Sequence, residues 1–136
     1  MRLLLVSANR ERSPYPVFPL GLACLVPSLE AAGHELRALD LCFEADPEAA
    51  VTAALADFTP QAVIISVRNI DNVTWPGSRS YVAGVKAIVD RCRGIATTIL
   101  GGSGFSLMPA ELLAFTGGDL GVAGEGEEIL PELLAC

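Results

Sequence analysis

Five strand-sized apolar runs alternate along this chain with segments of helical spacing, and that order constrains the fold more than any single motif. The first run, Arg2 to Ser7, holds Leu3, Leu4, Leu5 and Val6 in succession rather than in alternation, the pattern of a parallel strand covered on both faces. Glu35 to Leu41, Ala62 to Val67, Ala96 to Leu100 and Leu120 to Ala123 supply the others. A helix from Leu20 to Ala32 places Leu22, Leu25, Val26 and Leu29 on one face, carries Pro27 inside, and ends at Gly33. Asp46-Pro47-Glu48 reads as an N-cap, a first-turn proline and an acidic first turn, opening a helix to Phe58 that Pro60 closes. Ser80 to Arg93, Pro109 to Phe115 and Glu127 to Leu134 complete the helices. The expected fold is α/β, a Rossmann-like (flavodoxin-like) three-layer sandwich. Right-handed crossovers favour a five-stranded parallel sheet of order 2-1-3-4-5.

With 136 residues, 51% of them hydrophobic, the chain suits one domain spanning residues 1–136. No apolar stretch approaches the roughly 18 residues of a membrane span. The amino terminus lacks a secretory cleavage pattern, so a cytoplasmic location is expected. A net charge of −7 with scattered basic residues argues against nucleic acid as a partner. Cys24, Cys42, Cys92 and Cys136 show no metal-ligand spacing. His34, the single histidine, follows Gly33 and reads as a turn residue. The chain closes on Leu133-Leu134-Ala135-Cys136 without a polar tail, which suggests a piece of a longer protein.

Ligands of open α/β sheets gather outside the carboxyl ends of the strands. There the first strand is followed by Asn9 and Arg10, and the third by Ser66, Arg68, Asn69 and Asn72. The fourth runs into Gly101-Gly102-Ser103-Gly104, and the fifth into Gly124-Glu125-Gly126-Glu127. Glycines admit close backbone approach, Ser and Asn match amides, and the absence of Lys at these ends argues against several phosphates. Together they suit a large, polar-edged ligand. Gly102-Ser103-Gly104-Phe105-Ser106-Leu107 begins like GxGxxG but has Leu107 at the third glycine and follows the fourth strand, so it is no dinucleotide fingerprint. A phosphate-binding P-loop is missing, and the third strand ends in Ser66-Val67-Arg68, without the aspartate of a phosphorylated receiver.

The order and spacing of several short motifs resemble the N-terminal cobalamin-binding domain of cobalamin-dependent radical SAM proteins. They are Pro19-Leu20-Gly21-Leu22-Ala23, Ala32-Gly33-His34-Glu35-Leu36, Ile64-Ile65-Ser66-Val67 with Asn69 and Asn72 beyond it, Leu100-Gly101-Gly102, and Gly124-Glu125-Gly126-Glu127. The resemblance implies a cofactor site drawn from Asn9, Arg10, Leu20, Gly21, Ser66, Val67, Arg68, Asn69, Asn72, Gly101, Gly102, Ser103, Gly104, Phe105, Gly124, Glu125, Gly126 and Glu127. Where related domains carry DxHxxG after the first strand, this chain has Asn9-Arg10-Glu11-Arg12-Ser13-Pro14; where they carry SxL, it has Ser66-Val67-Arg68. Cobalamin is thus expected without a histidine on cobalt. Ser66 would meet the corrin or the displaced nucleotide tail, and Gly101 and Gly102 would admit that tail. Arg68 would lie under the cobalt, excluding a ligand, or else pair on the surface with Glu125 or Glu127. Gly102→Val is expected to block the cofactor while sparing the fold.

The same resemblance implies a downstream radical SAM barrel holding the iron-sulfur cluster and S-adenosylmethionine, with its CxxxCxxC motif outside these residues. The domain would not catalyse by itself, and its parent would transfer methyl groups carried on cobalamin. The alternative is a flavodoxin-like nucleotide, flavin or regulatory module, for which Trp75, Tyr81 and Phe105 are the aromatic candidates. A small hydrolase using Glu125 and Glu127 as acid and base is a third reading, although capping of the last helix explains those residues more simply.

Overall fold

The computed structural model describes residues 1–136. Its sheet has five parallel strands, β1 (Arg2–Ser7), β2 (Glu35–Asp40), β3 (Ala62–Ser66), β4 (Thr97–Gly101) and β5 (Leu120–Gly121), in the order β2-β1-β3-β4-β5. The helices are α1 (Leu20–Ala31), α2 (Pro47–Phe58), α3 (Val82–Cys92), α4 (Pro109–Thr116) and α5 (Gly126–Ala135). Short 3-10 turns occupy Leu41–Phe43 and Phe105–Leu107. This is the sandwich and strand order that the alternation of runs predicts. Each βα step leaves the sheet at one edge, so all five carboxyl ends share that edge with the loops that follow them.

Side-chain alternation along the buried strands builds two cores. Leu4, Val6, Val63, Ile65 and Leu100 face α2, α3 and α4, where Val51, Leu55, Val85, Ile88, Val89 and Leu112 pack. Leu3, Leu5, Ile64 and Ile99 face α1 and α5, meeting Leu22, Leu25, Leu29 and Leu130. Registers β1 to β3 and β3 to β4 set Ser7, Ser66 and Gly101 side by side at the carboxyl edge. Helix ends follow the sequence signals: Asp46 accepts from the Ala49 N–H at 3.0 Å, and Gly33 takes φ 81° just beyond α1.

β5 is shorter than its sequence suggests. Only Leu120 and Gly121 pair, with Ile99 and Leu100, although the Val122 N–H adds one further bond to the Leu100 carbonyl at 2.8 Å. Its start is held by a reciprocal pair. Asp119 Oδ2 accepts from the Thr98 N–H at 2.8 Å and its hydroxyl at 2.7 Å, while the Asp119 N–H donates to Thr98 Oγ1 at 3.0 Å. Those bonds, the backbone one first, hold the Asp119 carboxyl below its usual range. None of the helices is long and apolar enough to cross a membrane.

Candidate functional site

A cavity of about 500 Å³ opens at the carboxyl edge, over β3, β4 and the chain leaving β5, and between α1 and α5. Small ligands commonly fill concave sites of this size with an apolar interior and a few polar groups. Gly21, Ser66, Gly101, Gly102, Ser103, Gly124, Glu125, Gly126 and Glu127 line it, so the structure gathers the glycine turns after β4 and β5 with the end of β3. Its floor is aliphatic: Leu22, Leu25, Ile64, Ile99, Val122 and Leu130 are all buried.

The serines play different parts. The Ser66 hydroxyl has no hydrogen-bond partner in the protein and faces the cavity half-buried, which leaves it free for a ligand. Ser103 Oγ donates to the Arg68 carbonyl at 3.1 Å, tying the β4 turn to the chain leaving β3. Ser106, which sequence reasoning missed, donates to the Gly102 carbonyl at 3.0 Å and accepts from the Gly124 N–H at 2.9 Å. One hydroxyl thereby clasps both glycine turns. The only advance signal was its place four residues beyond Gly102.

Other expected residues lie outside the cavity. Asn9 is buried and bonds within its own turn, its Oδ1 accepting from the Glu11 N–H at 3.2 Å. Arg10 donates to the Leu41 and Glu44 carbonyls at 2.8 and 2.6 Å, so its guanidinium is spent on the chain following β2. Arg12 donates to the Cys42 carbonyl, and the Tyr81 hydroxyl donates to the Glu11 carboxylate. Those contacts draw the loop after β1 toward β2 and α3. The Tyr81 bond, joined by the Ser13 N–H, holds the Glu11 carboxyl below its usual range; burial first and then Glu11 push the Tyr81 phenol up to about 12.

Val67 and Phe105 point into the core beneath α3 and α4, at 2% and 1% exposure; the alternation of β3 continues, turning Val67 to the face away from the cavity, and Phe105 enters that core from the 3-10 turn after β4. Gly104 is buried against the Arg68 carbonyl, Leu20 is exposed at the start of α1, and Asn69 is half-buried. Asn72 spends its amide inside its own loop, donating to the Gly77 carbonyl and accepting from the Arg79 N–H. Arg68 is exposed and forms no ion pair, which corrects the expected surface pairing with Glu125 or Glu127.

The glycine at 102 also corrects an expectation. With φ at 100°, its missing Cβ would stand 2.8 Å from the Val67 carbonyl oxygen and 3.1 Å from Ser66 Oγ. A valine there collides with backbone, so it does not spare the fold. Among the glycines lining the cavity, Gly21 and Gly124 are the positions where a Cβ meets nothing within 4 Å.

The aromatic candidates for a flavin are dispersed: Trp75 is 91% exposed on the loop after β3, Tyr81 is bonded to Glu11, and Phe105 is in the core. His34 sits at the opposite edge, before β2, with Nδ1 3.3 Å from the terminal amine. Burial, and then that amine's charge, lower its pKa. Cys92 is fully buried, its thiol pushed up to about 11 by burial.

A family model described as "B12 binding domain" matches residues 6–134. Tryptophan 2-C-methyltransferase of Streptomyces laurentii is 37% identical over 124 residues, covering 87% of this chain and 20% of that protein. The radical S-adenosylmethionine methyltransferase TsrM of Kitasatospora setae, solved with cobalamin and an iron-sulfur cluster bound, superposes with TM-score 0.90 at 35% identity. That match covers 98% of this chain and 24% of TsrM. The radical enzyme OxsB with aqua-cobalamin, at 15% identity and TM-score 0.71 over 98% of this chain and 18% of its own, shares the fold. The chain thus spans about a fifth to a quarter of the relatives it matches.

Proposed function

This chain belongs to the B12-binding domain family, and from that membership we propose that it holds cobalamin at the carboxyl edge of its sheet, with no protein imidazole on cobalt, as the cofactor-holding part of a longer radical SAM methyltransferase. The observation that carries the reading is the edge cavity, whose rim and floor suit the two natures of a nucleotide tail. Ser66 offers a hydroxyl with no protein partner, Gly21 and Gly124 leave open space where a side chain would stand, and the floor is lined by buried aliphatic side chains. These features fit the group. Gly101, Gly102 and Ser66 would take the tail at the rim, and Leu25, Ile99, Val122 and Leu130 its base. Cobalamin supplies a cobalt centre able to accept and give up a methyl group.

The chain's own contribution is orientation and exclusion. The Ser106 clasp fixes the spacing of the two glycine turns, and the Ser103 bond to the Arg68 carbonyl fixes the backbone from which the Arg68 side chain extends. Arg68 has no ion partner to neutralise it and no acceptor lone pair, so over the lower face of a corrin it would bar a ligand rather than provide one. His34, at the far edge, supports the same reading. The exposed Tyr15, Phe18, Val73 and Trp75, on the loops after β1 and β3, and Leu20, at the start of α1, stand at this edge, an apolar rim suited to a covering barrel in the parent protein.

Incubation with hydroxocobalamin followed by gel filtration tests the proposal. Corrin absorbance is expected to elute with the protein, and Arg68→Ala is expected to alter its axial-ligand spectrum. Corrin that elutes wholly as free small molecule, from this chain and from a longer one carrying the barrel, contradicts the proposal. An unchanged spectrum removes Arg68 from the lower face.

A further inference from the structure

The loops after β1 and β3 leave neighbouring strands for opposite faces of the sheet, the first running into α1 and the second into α3. Divergence of that kind opens a crevice between the loops, where ligands of such sheets bind. Here the crevice is tied across twice. At its base the Ala8 N–H donates to the Ser66 carbonyl at 3.1 Å. Further along the loop after β1, the Glu11 carboxylate accepts from the hydroxyl of Tyr81, the residue before α3. Both ends of this second tie are themselves fixed. Glu11 Oε1 accepts from the Ser13 N–H at 2.8 Å, and Arg10 and Arg12, on either side, donate to carbonyls after β2. The Tyr81 N–H donates to the Ile70 carbonyl at 2.9 Å, closing a hairpin over residues 70–81. Asn72 and Arg79 bond across that hairpin at 3.1 and 2.7 Å.

Resting on the cobalamin reading above, we infer that Tyr81 is a positioning residue for the cofactor: through Glu11 it sets the width of this crevice before a ligand arrives. Arg68 and Asn69 lie between the end of β3 and the hairpin, so the hairpin's orientation governs the stretch that carries them. Without the Tyr81 hydroxyl the hairpin keeps its own bonds and swings as a body, while the loop after β1 stays held by Arg10 and Arg12. A ligand then has to select the closed arrangement, and the share of molecules already closed sets its apparent affinity. A hydrogen bond to an ionised carboxylate is strong enough to keep nearly all molecules closed. Its loss leaves about a tenth to a third of them competent, so apparent affinity falls by about threefold to tenfold.

A double-mutant cycle of Tyr81→Phe and Glu11→Ala, read by hydroxocobalamin dissociation constants, tests the inference. Tyr81→Phe keeps the ring and is expected to weaken binding by about threefold to tenfold. The double variant is expected to bind no more weakly than Glu11→Ala alone, because the hydroxyl acts only through that carboxylate. Binding by Tyr81→Phe as tight as the parent's, or losses that multiply in the double variant, overturns the inference and leaves the cobalamin reading standing. A parent chain that binds no corrin overturns both. Trp75, the only tryptophan, stands 91% exposed near the hairpin tip and reports the swing without any ligand. Its fluorescence anisotropy is expected to fall in both single variants; an unchanged value in both overturns the coupling of the two loops. Should Glu11→Ala not fold, the affinity and anisotropy of Tyr81→Phe decide.

Discussion

Gly21 and Gly102 line one cavity but respond oppositely to a side chain. At Gly102 the left-handed backbone and the Val67 carbonyl 2.8 Å from the missing Cβ leave no room, so the glycine serves the turn itself. Gly102→Ala is expected to destabilise the fold by about 1–3 kcal/mol from backbone strain alone, seen as a lower denaturation midpoint; an unchanged midpoint contradicts that account. Gly21, in the first turn of α1, has ordinary backbone angles and nothing within 4 Å. A larger residue there fills the cavity mouth while gaining roughly 0.5 kcal/mol of helix propensity over glycine. The sequence made both glycines visible. It could not separate them, because the distinction lies in whether the Cβ faces a neighbouring strand or open space.

At the scale of elements, β5 is the weakest part of the sheet that frames the cavity. It contributes Leu120 and Gly121 to pairing, and the Asp119–Thr98 bonds do much of the work that a longer ladder does elsewhere. Because the Asp119 carboxyl is held below its usual range, the stabilisation is complete above the unfolded carboxyl's pKa and is lost as pH falls through the lowered folded value. Asp119→Asn cannot titrate, and its unfolding temperature is expected to fall less than the parent's between about pH 6 and pH 2. Identical pH profiles would contradict the assignment. The fifth run read as four residues because Val122 and Ala123 are apolar. In the structure Val122 serves the cavity floor instead, and Gly121 lies under the Phe105 ring, where a Cβ would come within 2.5 Å.

For the molecule as a whole, fold was more legible than site. The continuous apolar runs of β1, β3 and β4 carry the pattern of doubly covered parallel strands, and the chirality of their crossovers leaves few orders. The rim of the site was legible because glycine turns and free hydroxyls break the apolar pattern, as at Ser66 and Gly101. The floor was hidden, since Leu25 and Val122 look like any core residue, and the alternation that sends Val67 to the opposite core depends on where the strand begins. Arg10 and Asn72 carried the right chemistry for a ligand but spend it on neighbouring backbone.

The central claim, that cobalamin is held with its tail in the edge cavity, is tested most directly by measuring hydroxocobalamin affinity for the parent chain and for Gly21→Trp, with unfolding curves of both. The account predicts an unfolding temperature no lower than the parent's and affinity reduced by tenfold or more, about 1.4 kcal/mol. A folded Gly21→Trp that binds as tightly as the parent would contradict it.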